Sequence, residues 1–158
     1  MNVTLTINGE KRQCEVAPDE KLLDTLRTLG LTGAKKGCGE GTCGSCVVLA
    51  NGLPVNSCLA FTASMQGRQI TTIEGLGDTN NPHPIQVEFV KAGAVQCGFC
   101  TPGMVLATKA LLDHNPTPGD EEIKAALDGN LCRCTGYVKI IEAVKNAAAV
   151  LAATASRK

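Results

Sequence analysis

Apolar and polar residues alternate over Val3, Leu5 and Ile7, an Asn8-Gly9 pair interrupts, and alternation resumes over Arg12, Cys14 and Val16. A period of two broken by Asn-Gly predicts a β-hairpin closed by a type I′ turn. Leu22, Leu23, Leu26 and Leu29 then recur at helical spacing. Pro18-Asp19-Glu20 opens that helix, with proline and acids in its first turn, and Gly30 stops it. After a glycine-rich stretch, Cys46 to Ala50, the turn Asn51-Gly52 and Leu53 to Leu59 predict a second hairpin, with Cys58 on its return strand. Arg68 to Ile73 reads as a last strand.

The pattern changes at Glu74-Gly75-Leu76-Gly77-Asp78-Thr79-Asn80-Asn81-Pro82, a Gly/Asn/Pro-rich linker. Beyond it the apolar period is helical. Pro84 to Val95 predicts one helix. Thr101-Pro102, read as an N-cap followed by proline at the first helical position, starts a second that runs to about Asp113. Asn115-Pro116-Thr117-Pro118-Gly119 breaks it. Asp120-Glu121-Glu122 begins a short third helix ending at Asp128-Gly129. Tyr137 to about Thr154 is the fourth, with Ile140, Ile141, Val144, Ala148 and Leu151 on one face. The expectation is an α+β chain: a strand-rich unit over 1–75, a linker over 76–82, and a small four-helix bundle over 83–158.

Cysteine spacing changes this picture most. Cys38, Cys43 and Cys46 are separated by four and then two residues among four glycines, and Cys58 follows. Cys-x4-Cys-x2-Cys with a distant fourth cysteine is the plant-type ligand spacing for a [2Fe–2S] cluster. A loop wrapped round a cluster needs positive φ at several positions, and it aims N–H groups at anionic sulfur. Hairpin, helix, hairpin and strand around such a loop is the order of a β-grasp, ferredoxin-like domain. In the helical half, Cys97-x2-Cys100 and Cys132-x-Cys134 each precede a predicted helix start, where free N–H groups and the helix dipole favour thiolates. Two such termini facing each other supply four thiolates. The geometry alone admits tetrahedral zinc as well as iron–sulfur, although Cys-x-Cys is tighter than the usual zinc-knuckle spacing.

Composition narrows the function class. Of 158 residues, 44% are apolar but only 3% aromatic, so each half has a modest core that bound metal would help to stabilise. Fifteen basic residues balance fifteen acidic ones. There is no basic patch or aromatic platform for nucleic acid, and no strong field of one sign such as a diffusing carrier uses for steering. The balance suits a subunit held in a lasting complex. The N-terminal residues alternate instead of forming a secretory signal, and no apolar run is long enough for a membrane helix. A reducing, cytoplasmic setting is therefore expected, where clustered cysteines are metal ligands and not disulfides.

Gln96-Cys97-Gly98-Phe99-Cys100-Thr101-Pro102-Gly103, Gly129-Asn130-Leu131-Cys132-Arg133-Cys134-Thr135-Gly136-Tyr137 and the Gly37–Cys46 loop together resemble the iron–sulfur subunit of the xanthine oxidase family of molybdenum hydroxylases. The resemblance spans nearly the whole chain, and a small separate chain looks like the three-subunit bacterial form. It implies a [2Fe–2S] cluster on Cys38, Cys43, Cys46 and Cys58 facing an FAD-binding medium subunit, with Gly39, Glu40 and Gly41 where that partner approaches. It implies a second cluster on Cys97, Cys100, Cys132 and Cys134 facing a large subunit that holds molybdopterin, in the cytosine dinucleotide form. Gln96 would contact the pterin, and the loop of Cys134 would approach its amino group. Electrons would pass from molybdenum through the C-terminal and then the N-terminal cluster to FAD, in a heterotrimer or a dimer of heterotrimers.

The remaining chemistry-bearing residues read more plainly. Cys14 shares a strand face with Val16 and is expected to be a buried, inert thiol. Gly39-x-Gly41-x-x-Gly44 matches a dinucleotide fingerprint formally, but it follows no clear strand and opens no helix. His83 and His114 are expected to be exposed loop residues. Arg133 either offsets cluster charge, meets a partner, or is simply exposed. No catalytic Ser/His/Asp set, carboxylate pair or phosphate loop is present, so no substrate chemistry is expected on this chain.

Overall fold

A computed structural model of the chain describes residues 1–156. The alternating segments at its start form β1 (Asn2–Ile7) and β2 (Glu10–Glu15), antiparallel with Ile7 opposite Glu10. Asn8 and Gly9 carry φ of 51° and 84° between them, as a type I′ turn requires. Val3, Leu5, Ile7 and Cys14 point into the first core.

Helix α1 (Leu22–Thr28) starts later than its proline and acids suggest. Residues 20–22 are occupied in backbone pairing with 60–62: Leu22 N–H donates to the Ala60 carbonyl (2.8 Å) and Thr62 N–H to the Glu20 carbonyl (2.9 Å). Glu20 therefore lies outside the first turn, and its carboxylate accepts from Thr25 Oγ1 (2.6 Å) and Ala17 N–H (3.3 Å). The leucine stripe packs as expected, with Leu22, Leu23 and Leu26 buried and Leu29 against them.

β3 (Val47–Ala50) and β4 (Leu53–Asn56) form the second hairpin, and β5 (Gln69–Thr71) closes the sheet in the order β2-β1-β5-β3-β4. β5 runs parallel to β1 and antiparallel to β3. It is shorter than Arg68–Ile73, because the Asn8 side chain takes the Thr72 N–H (2.9 Å) and residues Ile73–Gly75 turn into a 3-10 helix.

The helical half contains α2 (Pro84–Lys91), α3 (Thr101–His114), α4 (Asp120–Leu127) and α5 (Val138–Ala155). α2 ends at Lys91, short of Val95. Ala94 N–H returns to the Phe89 carbonyl (2.9 Å) and Gly93 N–H to the Val90 carbonyl (3.0 Å), with Gly93 at φ 67°. That is a Schellman stop. Ile85, Phe89, Met104, Val105, Ile123, Ile140, Ala143 and Val144 fill the second core. Lys145 Nζ meets Asp120 Oδ1 at 2.7 Å, joining α5 to α4. Among the described residues no helix is long and apolar enough to cross a membrane.

β3 joins the two halves. All four of its residues are buried. Val48 and Ala50 face the first core, while Val47 and Leu49 face Leu106 of α3. A continuous apolar run is what a strand covered on both faces needs. α3 meets this demand with burial on nearly every side through its first two turns, from Gly103 to Thr108.

Candidate metal centres

The first set of thiols is built on the β3–β4 hairpin. Val47 pairs with Asn56, so Cys46 and Cys58 leave the same end of the hairpin. Cys58 lies in a turn beyond β4 and not on the return strand. Ser57 closes that turn, with its hydroxyl donating to the Cys46 carbonyl at 2.7 Å. Both thiols are buried, whereas Cys43 is half-buried and Cys38 exposed. Asn56 Nδ2 donates to the Gly41 carbonyl (3.0 Å) and holds the glycine loop over the hairpin end. Gly39, Gly41 and Gly44 all have positive φ. Cys38 N–H points at Cys43 Sγ and Glu40 N–H at Cys38 Sγ, each at 3.4 Å. The Glu40 and Cys43 amides pull the Cys38 thiol down to about 6. Burial, followed by the neighbouring Cys46 thiol, pushes Cys58 up to about 11.

The second set sits at two helix starts. Cys100 is the N-cap of α3, so Thr101 and Pro102 fall inside its first turn and Thr101 is not the cap. Cys97 precedes it by one tight loop, and Cys132 and Cys134 precede α5. Cys134 Sγ lies 3.6 Å from Cys97 Sγ. Burial and then the Cys132 thiol push Cys100 up to about 12. Burial works against the Cys132 thiolate too, but donors from Thr135 and Cys134 outweigh it and lower the thiol; Thr135 Oγ1 lies 3.1 Å from its sulfur. Hydrogen bonding to Cys97 raises Cys134. Cys97 and Cys134 are exposed, and Cys100 and Cys132 are half-buried.

The sulfurs of each set are gathered without converging on one point. Among the described residues, no group of three or more His, Cys, Asp or Glu side chains is arranged to hold a metal ion. A two-iron cluster distributes four thiolates over two metals, and so asks for less convergence than one tetrahedral ion. Two all-sulfur donor sets, each with amides aimed at its thiols, have the donor chemistry such clusters take.

The two loops touch backbone to backbone. Leu131 N–H, next to Cys132, donates to the Cys43 carbonyl at 2.9 Å. Asn130 Nδ2, buried, donates to the Gly44 carbonyl at 3.1 Å. Only glycine fits on either side. A Cβ on Gly44 would lie 2.2 Å from the Gly129 carbonyl oxygen, and one on Gly103 2.4 Å from that of Gly44. Apolar side chains remain exposed beside both sets: Leu59 and Phe61 near the first, Val95, Phe99 and Leu131 near the second.

Gln96, immediately before Cys97, and Arg133, between Cys132 and Cys134, are exposed, as are Gly39 and Glu40. Cys14 is buried, and burial raises its thiol. His114 is exposed at the end of α3. His83 departs from expectation. It is the half-buried N-cap of α2, with Nδ1 accepting from Ile85 N–H (3.2 Å) while Gln86 Oε1 accepts from His83 N–H (2.8 Å). Burial lowers its pKa. Asn56, Ser57, Asn130 and Tyr137 received no role from the sequence. A capping signal, polar residue then Pro and Gln, was readable at 83–86; the others depend on contacts distant in sequence.

Comparison with known proteins finds two family matches along the chain. Residues 5–69 match the 2Fe-2S iron-sulfur cluster binding domain family, and residues 72–145 match the [2Fe-2S] binding domain family. The small FeS subunit of nicotinate dehydrogenase from Eubacterium barkeri is 51% identical over 148 residues, covering 93% of this chain and 94% of the relative. A nicotinate dehydrogenase subunit from Pseudomonas putida is 46% identical over 147 residues, 92% and 94% of the two chains. In the crystal structure of quinoline 2-oxidoreductase from Pseudomonas putida 86, one chain superposes with a TM-score of 0.92 at 43% identity, covering 98% of this chain and 96% of that one. Aldehyde oxidoreductase from Desulfovibrio desulfuricans gives 0.94 at 42% identity, but the match covers only 17% of that longer chain.

Proposed function

The chain belongs to the iron–sulfur subunits of the xanthine oxidase family of molybdenum hydroxylases, and from that premise we propose that it relays electrons between a molybdopterin site and FAD, each on a partner subunit. Cys97, Cys100, Cys132 and Cys134 hold the [2Fe–2S] cluster on the molybdenum side, and Cys38, Cys43, Cys46 and Cys58 hold the one on the flavin side. When bound, these clusters supply one-electron centres of tunable potential.

The observation that carries this reading is the joint between the loops. Leu131 N–H bonded to the Cys43 carbonyl gives a short bonded path from the Cys132 side to the Cys43 side. The exposed thiols, Cys97 and Cys134 at one set and Cys38 at the other, mark the outer ends of that path. Exposed Phe99, Leu131, Leu59 and Phe61 beside those ends support lasting cover by partner subunits over a freely diffusing carrier. The partners are a large subunit that binds molybdopterin and a medium subunit that binds FAD, in a heterotrimer or its dimer, in the cytoplasm. The molybdopterin is of the cytosine dinucleotide form. Gln96, exposed beside Cys97, is the proposed pterin contact, and residues 39–41 are the proposed meeting point with the flavin subunit. This chain performs no bond chemistry on a substrate; it positions two redox centres.

The test uses the purified complex mixed rapidly with nicotinate, the substrate in the names of two relatives. Gln96→Ala should slow bleaching of the clusters while iron content stays unchanged. A wild-type rate would remove Gln96 from the path. Absence of molybdenum and flavin from the proteins that co-purify with this chain would overturn the relay.

A further inference from the structure

Tyr137 adopts a backbone conformation that its helix does not require. It is the N-cap of α5 with φ 69° and ψ −22°, directly after Gly136 at φ 64°. The N-caps of α2 and α4 are ordinary extended residues. A non-glycine residue held in the left-handed region points to a constraint elsewhere. Here the double reversal brings the ring back over the second loop. The phenol oxygen accepts the Cys132 N–H at 2.8 Å and donates to the Asn130 carbonyl at 3.2 Å. Tyr137 N–H in turn donates to Thr135 Oγ1 (3.2 Å), whose hydroxyl lies 3.1 Å from Cys132 Sγ.

The two loops thus treat the N–H of a ligand cysteine differently. In the first, the Cys38 and Glu40 N–H groups are directed at sulfur. In the second, the Thr135 and Cys134 amides reach the Cys132 sulfur, but the Cys132 N–H itself is diverted to a phenol. Hydrogen bonds to cluster sulfur stabilise the more negative, reduced state and raise the potential. We propose that the Tyr137 hydroxyl is a positioning group that keeps the Cys132 amide off the sulfurs and so holds the second cluster's potential down relative to the first. This rests on the four-thiolate reading of the second set.

The test is a potentiometric titration of the full chain with both clusters assembled, followed by EPR. Tyr137→Phe removes only the hydroxyl. The second cluster's midpoint should move positive while the first stays in place. An unchanged spacing between the two midpoints, with or without lower thermal stability, would overturn the proposal. Tyr137 is the only tyrosine in the chain, so 3-fluorotyrosine gives a single ¹⁹F resonance without any change of sequence. That resonance should shift when the second cluster is reduced and not when the first is. Should Tyr137→Phe fail to assemble, this resonance decides alone, and its indifference to the second cluster overturns the proposal. Absence of a second EPR signal from the unaltered chain would instead sink the four-thiolate reading.

Discussion

Replacing Gly44, which lies between Cys43 and Cys46, with alanine strikes the joint between the two loops. Gly44 is buried at φ 68°, and a Cβ there would lie 2.2 Å from the Gly129 oxygen, 2.7 Å from Asn130 Nδ2 and 2.9 Å from Asn130 Cα. Two of these contacts are with backbone, so no rotamer change relieves them. The loops must part, and the bonds from Asn130 Nδ2 to Gly44 and from Leu131 N–H to Cys43 stretch with them. Left-handed alanine costs about 1–2 kcal/mol, overpacking about 1–3 and two weakened hydrogen bonds about 1 each, or roughly 4–7 kcal/mol together. That is a large part of the 5–15 kcal/mol typical of a folded domain. Gly67→Ala is the control: its φ is 74° and its Cβ would meet nothing within 4 Å, so only the backbone cost of about 1–2 kcal/mol applies. Urea unfolding of both variants isolates the clash. EPR of the reduced protein reads the joint itself, through the magnetic interaction between clusters. Gly44→Ala should lose about 3–5 kcal/mol more than Gly67→Ala and weaken that interaction. Equal stability losses with the interaction intact would refute the close-packed joint.

Cys134→Ser should remove iron and signal from the second set and leave the first intact, since each half has its own core; simultaneous loss of both would show that the halves do not assemble separately. In metal-free protein at pH 7, iodoacetamide should modify Cys38 first, because a thiol near 6 is mostly thiolate at that pH, and Cys58 and Cys100, near 11 and 12, last. Uniform labelling by mass spectrometry would contradict that order.

Much of this protein is legible locally. Asn8-Gly9 and Asn51-Gly52 specify their hairpins because few other residues tolerate the positive φ both turns use. The leucine stripe of α1 and the acids opening α4 report their own helices. The spacing of eight of the cysteines, three in one glycine-rich loop and two pairs each before a readable helix start, suggests their sorting into two sets. What escaped the sequence is non-local. Glu20 looks like a first-turn acid until residues 60–62 claim its backbone. Cys58 leaves the strand because the Ser57 hydroxyl bonds to Cys46, eleven residues away. His83 reads as a loop residue because histidine is an uncommon cap. The burial of β3 on both faces was present in Val47-Val48-Leu49-Ala50, but nothing local says that α3 supplies the second cover. Tyr137 reads as an ordinary helix residue; its role depends on a left-handed turn and on Asn130 and Cys132.

The central claim is two separate [2Fe–2S] clusters in one small chain, one on each set of four thiols. Iron analysis with EPR of the dithionite-reduced full chain tests it most directly. Two distinct signals are expected, with two irons for each and four per chain. One signal with two irons would contradict it.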